Sequence, residues 1–151
     1  MQIRLLGTAA GGGVPQWNCN CPGCREARSP VGRVRPRTQS SVAVSADGQR
    51  WFLLNASPDL RWQIERTAAL QPLPGATRGS PIEAVLLTNA DLDHTLGLLL
   101  LREGQKLPMI ATSQVQNSLS QGLHLPATLE AFCGAEWRRP AAELSPLLAL
   151  P

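Results

Sequence analysis

Residues 82–104 read IEAVLLTNADLDHTLGLLLLREG and carry the pattern that decides the fold. Ile82 to Thr88 is a short apolar run with branched side chains, which predicts a buried strand. The leucine-rich run from Leu96 to Leu101, with Gly104 after it, predicts a buried helix that ends at the glycine. The polar residues between the two runs therefore lie at a strand-to-helix junction, where side chains two positions apart can enter one pocket.

This junction holds two carboxylates, an imidazole and an amide within six positions. Carboxylate and imidazole groups are the ligands that a divalent metal needs, so Asp91, Asp93 and His94 are predicted to bind one. The alternative is that Asp91 or Asp93 caps the helix, whose open amides and dipole accept a carboxylate. One carboxylate is enough for a cap, and Asn89 adds a further polar group. The cluster exceeds what capping requires, which favours the metal site.

Strand-like runs alternate with helical runs along the chain, which predicts an α/β layered fold. Two of these runs flank the turn signal Asp47-Gly48 and are expected to pair as a hairpin. Ser57 before Pro58 predicts a helix N-terminus, and Ser113 predicts another. The predicted strands are 2–6, 40–46, 50–55, 82–88 and 109–112, and the predicted helices are 58–70, 96–101, 113–122 and 126–133.

Residues 19–24, CNCPGC, are the strongest local signal in the chain. Cys-Pro-Gly-Cys predicts a tight turn in which the sulfurs of Cys21 and Cys24 face a common centre, and Cys19 adds a third thiolate. This pattern predicts a structural zinc site, with a chance cluster of inert cysteines as the alternative. Zinc prefers four ligands in such a site. The candidates for the fourth are Cys133, His124 and a residue beyond Pro151, and the last of these is favoured.

Five arginines fall between Arg25 and Arg37, with Glu26 as the only acid among them. A solvated loop is the favoured interpretation, and an anion-binding patch is the alternative. The preceding glycine run, Gly11 to Gly13, fits neither a phosphate loop nor a dinucleotide fingerprint. It predicts a turn that lets the backbone pass close to another element.

Composition excludes several classes of protein. The net charge of +3, six Trp and Phe residues and no Tyr argue against a nucleic-acid groove. No apolar run approaches the ~20 residues of a membrane helix, and no secretory signal opens the chain. Unpaired cysteines close in sequence are typical of a reducing compartment. We therefore expect a cytoplasmic protein with neither nucleic-acid nor membrane partners.

The stretch Asn89-Ala90-Asp91-Leu92-Asp93-His94 resembles the metallo-β-lactamase superfamily motif His-x-His-x-Asp-His, and Gly97 fits the same pattern. Asn89 and Asp91 stand in the places of the first two histidines. With residues 11–24, 37–41 and 55–59, the chain from Met1 to about Trp137 resembles the coenzyme PQQ synthesis protein B family. The resemblance implies the αβ/βα sandwich of the superfamily, with residues 1–151 as a single domain that forms its N-terminal half.

The resemblance also implies a function. The family pattern implies an iron(II)-dependent oxygenase of pyrroloquinoline quinone (PQQ) biosynthesis, which hydroxylates the tyrosine ring of a glutamate- and tyrosine-derived precursor with dioxygen. Asp93 and His94 would bind iron, Asp91 would act as ligand or base, and Asn89 would orient water or substrate. Asn89 and Asp91 make a hydrolytic two-zinc centre unfavourable, because an amide and a carboxylate bind zinc more weakly than two imidazoles.

Two alternatives to the hydroxylase stay open. One is a carrier for transport of PQQ or its precursor, and the other is a metal-dependent hydrolase. The chain alone is expected to be inactive, because the family builds its site from both halves. Its expected protein partner is a second copy of the chain or the other half of the sandwich.

Overall fold

The computed structural model describes residues 1–103 and 106–140, and these form one six-stranded sheet whose strand order follows the chain. Two 3₁₀ segments, Ala68–Leu70 and Leu96–Leu101, accompany the helices. The strands are β1 Gln2–Gly7, β2 Ser41–Ser45, β3 Trp51–Leu54, β4 Ile82–Leu86, β5 Leu107–Ile110 and β6 Ala135–Arg138, and the helices are α1 Pro22–Arg28, α2 Leu60–Glu65, α3 Leu92–Thr95, α4 Ser113–Gln121 and α5 Leu125–Phe132.

The sheet is mixed. β1, β2 and β3 pair antiparallel, so the predicted hairpin around Asp47-Gly48 is confirmed. β3 to β6 pair parallel, which brings their C-terminal ends to one edge of the sheet. The predicted α/β fold is therefore confirmed, and the polar junction after β4 lies at the edge where open α/β sheets bind their ligands.

One face of the sheet carries the core. Trp51, Leu53 and Met109 are fully buried on this face, and Leu60 and Leu98 pack against them from the helical layer. Each such side chain contributes roughly 1.5–3 kcal/mol when it leaves water. The helices on this face therefore anchor the segments that carry the site.

The opposite face, called the outer face below, is apolar but lies outside this core. Directly paired residues project from the same side of a sheet, so Ile3 shares the outer face with its register neighbours. Ile3 and Leu5 are 58% and 69% exposed. The outer-face residues of β1 to β4 in register are Ile3, Val44, Phe52 and Ala84 in one row and Leu5, Val42, Leu54 and Leu86 in the next.

The leucine-rich run differs from its prediction. It is a 3₁₀ segment that continues α3, and Leu100 is 41% exposed. Its Gly97 donates a backbone hydrogen bond to the Ala56 carbonyl (2.9 Å), and a Cβ at Gly97 would collide with the Ser57 carbonyl. The leucine-rich run therefore packs its backbone directly against the residues that follow β3, and it does so in a 3₁₀ conformation. Gly104, the predicted end of the run, lies outside the described residues.

Two predicted helix caps are wrong. Ser57 is buried, and its hydroxyl donates to Gln63 Oε1 (3.2 Å), so α2 begins later with Asp59 at the N-cap. Helix α4 is capped by Thr112 instead of Ser113, because the Thr112 side chain accepts from the Val115 N–H. In both cases a neighbouring residue of similar capping preference takes the position.

Asp47 stabilises the hairpin turn between β2 and β3. Its carboxylate accepts hydrogen bonds from the backbone N–H groups of Arg50 (2.9 Å) and Gln49 (2.8 Å), and it pairs with the Arg50 guanidinium. These donors hold the pKa of Asp47 well below its ordinary value of 3.8, the Arg50 N–H being the strongest. The charged carboxylate therefore stabilises the folded state.

We expect Asp47→Ala to lower the melting temperature by a few degrees at neutral pH. Because the folded pKa is depressed, this difference should be complete above pH ~5 and should shrink as the pH falls below ~3.9. Thermal melts of both proteins across pH 2–8 measure it. Glu65→Ala, at an exposed position of α2, is the control. An equal difference at all pH values would show that the turn does not depend on the charge.

Candidate metal centres

The ligand loop, residues 89–94, follows β4 and runs into α3. Asp91 occupies the N-cap position of α3, yet its carboxylate makes no capping hydrogen bond. Asp93 and His94 lie within the single turn of α3, so they belong to the helix and do not precede it as predicted. Capping therefore does not account for the Asp91 side chain.

One ligand atom from each of Asp91, Asp93 and His94 lies within 4.8 Å of the others. A metal bound at ~2.0–2.2 Å from each ligand brings such atoms to within ~4 Å of one another, so a small adjustment of the side chains suffices. Asp91 is exposed, and the other two are half-buried. The donor set of two carboxylates and one imidazole fits a divalent metal and leaves the site open to solvent.

Asn89 connects two of these ligands. Its Nδ2 donates to Asp91 Oδ2 (2.7 Å), and its Oδ1 lies 2.7 Å from His94 Nδ1. Because the amide oxygen only accepts, His94 Nδ1 carries the proton and Nε2 keeps its lone pair for a metal. The amide of Asn89 thus holds the imidazole and the carboxylate in fixed orientations, which is the usual task of an outer-shell group.

Residues directly after β3, together with Thr95 of α3, hold the ligand loop in place by hydrogen bonds. Asn55 has a left-handed backbone (φ 62°), and its Oδ1 accepts from the N–H (2.9 Å) and hydroxyl (3.1 Å) of Thr88. The Ala56 N–H donates to the His94 carbonyl (2.7 Å), and the Thr95 hydroxyl donates to the Asp91 carbonyl (2.8 Å). Sequence reasoning missed Asn55. The signal for it is an asparagine directly after a strand, because asparagine tolerates this backbone conformation.

The glycine run passes over the ligand loop, in agreement with its prediction as a close-approach turn. A Cβ at Gly11 would lie 3.4 Å from Asp93 Oδ2. The next residue, Gly12, donates its N–H to Gln39 Oε1 (3.0 Å), and Gln39 in turn donates twice to Asp59 Oδ2. Gln39 and Asp59 therefore fix the glycine run beside a predicted metal ligand, a role that the sequence did not reveal.

The three cysteines also converge. One sulfur from each of Cys19, Cys21 and Cys24 lies within 4.8 Å of the others. The pair Pro22-Gly23 does not form an isolated turn as predicted, because it opens α1 with proline in the first turn. The cluster nevertheless supplies three of the four donors of a structural zinc site.

The thiols differ in acidity. A hydrogen bond from the Cys24 backbone and contacts with the Cys19 and Cys24 thiols lower the pKa of Cys21 from 9.0 to about 7. A backbone hydrogen bond at Gln16 lowers the pKa of Cys24, but burial and the two neighbouring thiols together raise it. A cysteine with a pKa near neutrality supplies the thiolate that a metal requires.

Neither candidate for the fourth ligand within the chain joins this cluster in the described residues. Cys133 is half-buried, and its thiol contacts the carbonyls of Leu129 (3.6 Å) and Gly134 (3.3 Å). His124 is exposed at the N-cap position of α5 and belongs to neither group of convergent ligands. The prediction of a ligand beyond Pro151 stays a prediction.

These features agree with comparisons to known proteins. The family described as "Beta-lactamase superfamily domain" matches residues 50–145, which include β3, β4 and the ligand loop. The chain therefore belongs to the beta-lactamase superfamily. Within the described residues, no helix has the length and apolar character needed to cross a membrane.

Curated relatives of this chain are named coenzyme PQQ synthesis protein B. The chain is 58% identical over 120 residues to "Coenzyme PQQ synthesis protein B" of Methylorubrum extorquens (strain PA1), a match that covers 80% of this chain and 40% of that protein. The chain thus spans less than half the length of this curated relative. The resemblance to the coenzyme PQQ synthesis protein B family is confirmed.

Two solved structures show the same fold. A Zn²⁺-bound PqqB from Methylobacterium extorquens matches with a TM-score of 0.83 and 50% identity, over 93% of this chain and 46% of that one. A diphosphatase from the PhnP family matches with a TM-score of 0.67 and 25% identity, over 93% of this chain and 51% of that one. The predicted metallo-β-lactamase-like fold is confirmed.

Proposed function

We propose that this chain forms the N-terminal half of a cytoplasmic, iron(II)-dependent hydroxylase of PQQ biosynthesis. Its substrate is the glutamate- and tyrosine-derived precursor, and dioxygen is the co-substrate. One observation carries the proposal. The convergent cluster contains two carboxylates and a single imidazole, an oxygen-rich set that suits iron(II) better than a pair of zinc ions.

Each residue of the cluster has a distinct role in this proposal. Asp93 and His94 hold the iron, which supplies the redox chemistry with dioxygen when bound. Asn89 keeps the His94 ring in the tautomer that leaves Nε2 free. Asp91 is either a third ligand or a base, because its Oδ2 is engaged by Asn89 while its other oxygen can accept a proton from the substrate phenol.

The cysteine cluster serves stability in the same proposal. Cys19, Cys21 and Cys24 supply three thiolate ligands to a zinc ion, and the predicted fourth ligand from beyond Pro151 would close the site to substrate. The guanidinium group of Arg28 supports the cluster from outside, by donating to the carbonyls of Cys19 and Gln16. These hydrogen bonds fix the backbone around the cysteines, as is typical of a metal site that stabilises the fold.

A hydrolase is the second candidate, favoured by the likeness to the PhnP-family diphosphatase. Asn89 and Asp91 weigh against it, since two imidazoles of the superfamily motif are missing from the place where a first zinc would bind. A carrier for PQQ or its precursor needs no redox metal. The carrier hypothesis therefore does not explain why Asp91, Asp93 and His94 converge.

The test uses a hybrid protein in which this chain replaces the matching segment of the Methylorubrum extorquens relative. We expect iron(II)-dependent dioxygen uptake with the precursor, and a hydroxylated product by mass spectrometry. His94→Ala should reduce uptake at least ~100-fold, whereas His124→Ala, the other histidine of the chain, should leave it unchanged. Two bound zinc ions with ester hydrolysis would favour the hydrolase, and tight PQQ binding without dioxygen uptake would favour the carrier.

A further inference from the structure

We propose that Arg37, with Arg33 and Arg35 beside it, forms an anion-recognition site that binds carboxylate groups of the substrate next to the ligand loop. The proposal deepens the proposed function and rests on it for the location of the reacting site. It names the substrate class as a molecule that carries several carboxylates.

The structure divides the five arginines of this segment into two groups. The guanidinium groups of Arg25 and Arg28 donate to backbone carbonyls of the segment before α1, among them the Asn20 and Cys19 carbonyls at 3.0 and 2.6 Å. Arg33, Arg35 and Arg37 are exposed. Within the described residues, none of these three guanidinium groups makes a hydrogen bond or an ion pair.

The charge of this second group is not balanced locally. Glu26, the acid of the segment, accepts a hydrogen bond from the backbone N–H of Arg33 (3.0 Å) and not from a guanidinium group. The ion pairs of the described residues lie elsewhere, at Arg50, Arg102 and Arg138. Three cations within five residues, none of them paired with an acid in the described residues, form a positively charged surface that attracts anions.

Backbone contacts connect Arg37 to the glycine run, which passes beside the ligand loop. Its N–H donates to the Val14 carbonyl (2.7 Å), and its carbonyl accepts from the Val14 N–H (2.8 Å). Val14 follows Gly11 by three residues, and Gly11 approaches Asp93. A hydrogen-bonded antiparallel pair spans ~5.5 Å and three extended residues span at most ~10 Å, so the Cα atoms of Arg37 and Gly11 are at most ~16 Å apart.

Two physical reasons make arginine suitable at this place. The guanidinium fork binds a carboxylate through two parallel hydrogen bonds, which orients the ligand. The backbone pairing of Arg37 also fixes the start of its side chain, which reduces the entropy lost on binding. The three guanidinium groups also raise the positive potential beside the ligand loop, which attracts an anionic substrate.

The experiment measures binding of benzene-1,3,5-tricarboxylate to residues 1–151 by calorimetry at low and high salt, without oxygen and with no turnover. We expect Arg37→Gln to weaken binding about tenfold, because it removes a charge-assisted hydrogen-bonded pair. Arg37→Lys should fall between Arg37→Gln and wild type, since lysine keeps the charge and loses the fork. Arg61→Gln, which removes the same charge from the exposed surface of α2, should have no effect. Melting temperature and metal content should not change in any variant.

Equal weakening by Arg37→Gln and Arg61→Gln would overturn the proposal, because it would show attraction to net charge alone. Unchanged binding in Arg37→Gln would also overturn it. The proposed function fails in a different way. A hybrid protein that binds the tricarboxylate through Arg37 but takes up no dioxygen keeps the recognition site and rejects the hydroxylase. Conversely, hydroxylation with a KM that is unaffected by Arg37→Gln keeps the hydroxylase and rejects the recognition site.

Discussion

Replacing Cys21 by serine is expected to remove bound zinc and to lower the melting temperature together, by ~10 °C or more. The physical reason is that α1 and the cysteines before it have few other stabilising contacts. Of the residues in α1 only Cys24 and Ala27 are buried, and the residues around them are mostly exposed. A segment with so small an apolar contact is expected to gain much of its folding free energy from the predicted zinc ion.

Zinc content by mass spectrometry and a thermal melt of the same sample test this expectation. Cys133→Ser is the matched control, because Cys133 lies outside the cluster and its thiol contacts only backbone carbonyls. The control should keep its zinc and melt within a few degrees of wild type. A Cys21→Ser protein with full zinc and an unchanged melting temperature would contradict a structural zinc site at these cysteines.

Local patterns predicted much of the fold. The apolar run of β4 and the Asp47-Gly48 turn each depend on residues that are neighbours in sequence, and both predictions are confirmed. The leucine-rich run failed for the opposite reason. Its conformation depends on the backbone contact between Gly97 and Ala56, two residues about forty positions apart. Helical periodicity carries no information about such a contact.

The difference between contacts of sequence neighbours and contacts of distant residues also explains which parts of the metal site could be predicted. Asp91, Asp93 and His94 could be found from sequence because they fall within four positions, and their side chains converge as the strand-to-helix junction predicted. The residues that hold these three side chains in place could not be found from sequence. Gly11 lies beside Asp93 while Gln39 accepts a hydrogen bond from the neighbouring Gly12, and this arrangement brings together three separate segments of the folded chain.

The outer face bears on how residues 1–151 behave alone. Ile3 and Leu5 are mostly exposed, and the half-buried Val44, Phe52 and Leu54 continue the apolar surface across β2 and β3. None of these residues belongs to the core on the other side of the sheet. Contiguous apolar surface of this kind marks an interaction surface or an aggregation risk. Among the strands of the described residues, β1 lies at one edge of the sheet and pairs only with β2.

Residues 1–151 on their own are therefore expected to self-associate, to bind iron(II) weakly and to show no hydroxylation. The convergent ligands of the described residues come from one short segment, and Asp91 is exposed, so water would fill most positions around the metal. Loss of even one outer-shell partner typically weakens metal binding ~10- to 100-fold. His124, at the exposed N-cap of α5, does not compensate for the missing ligands.

Anaerobic iron(II) titration, light scattering and a hydroxylation assay beside the Methylorubrum extorquens relative measure these three properties. The double variant Ile3→Ser, Leu5→Ser should reduce self-association, because it places hydroxyl groups on the exposed edge of the outer face. Val31→Ser, which removes an exposed apolar side chain outside the sheet, should leave self-association unchanged. A monomer that binds one iron tightly and hydroxylates the precursor would show that the ligand loop is sufficient without residues from elsewhere. It would also show that the outer face is stable in water.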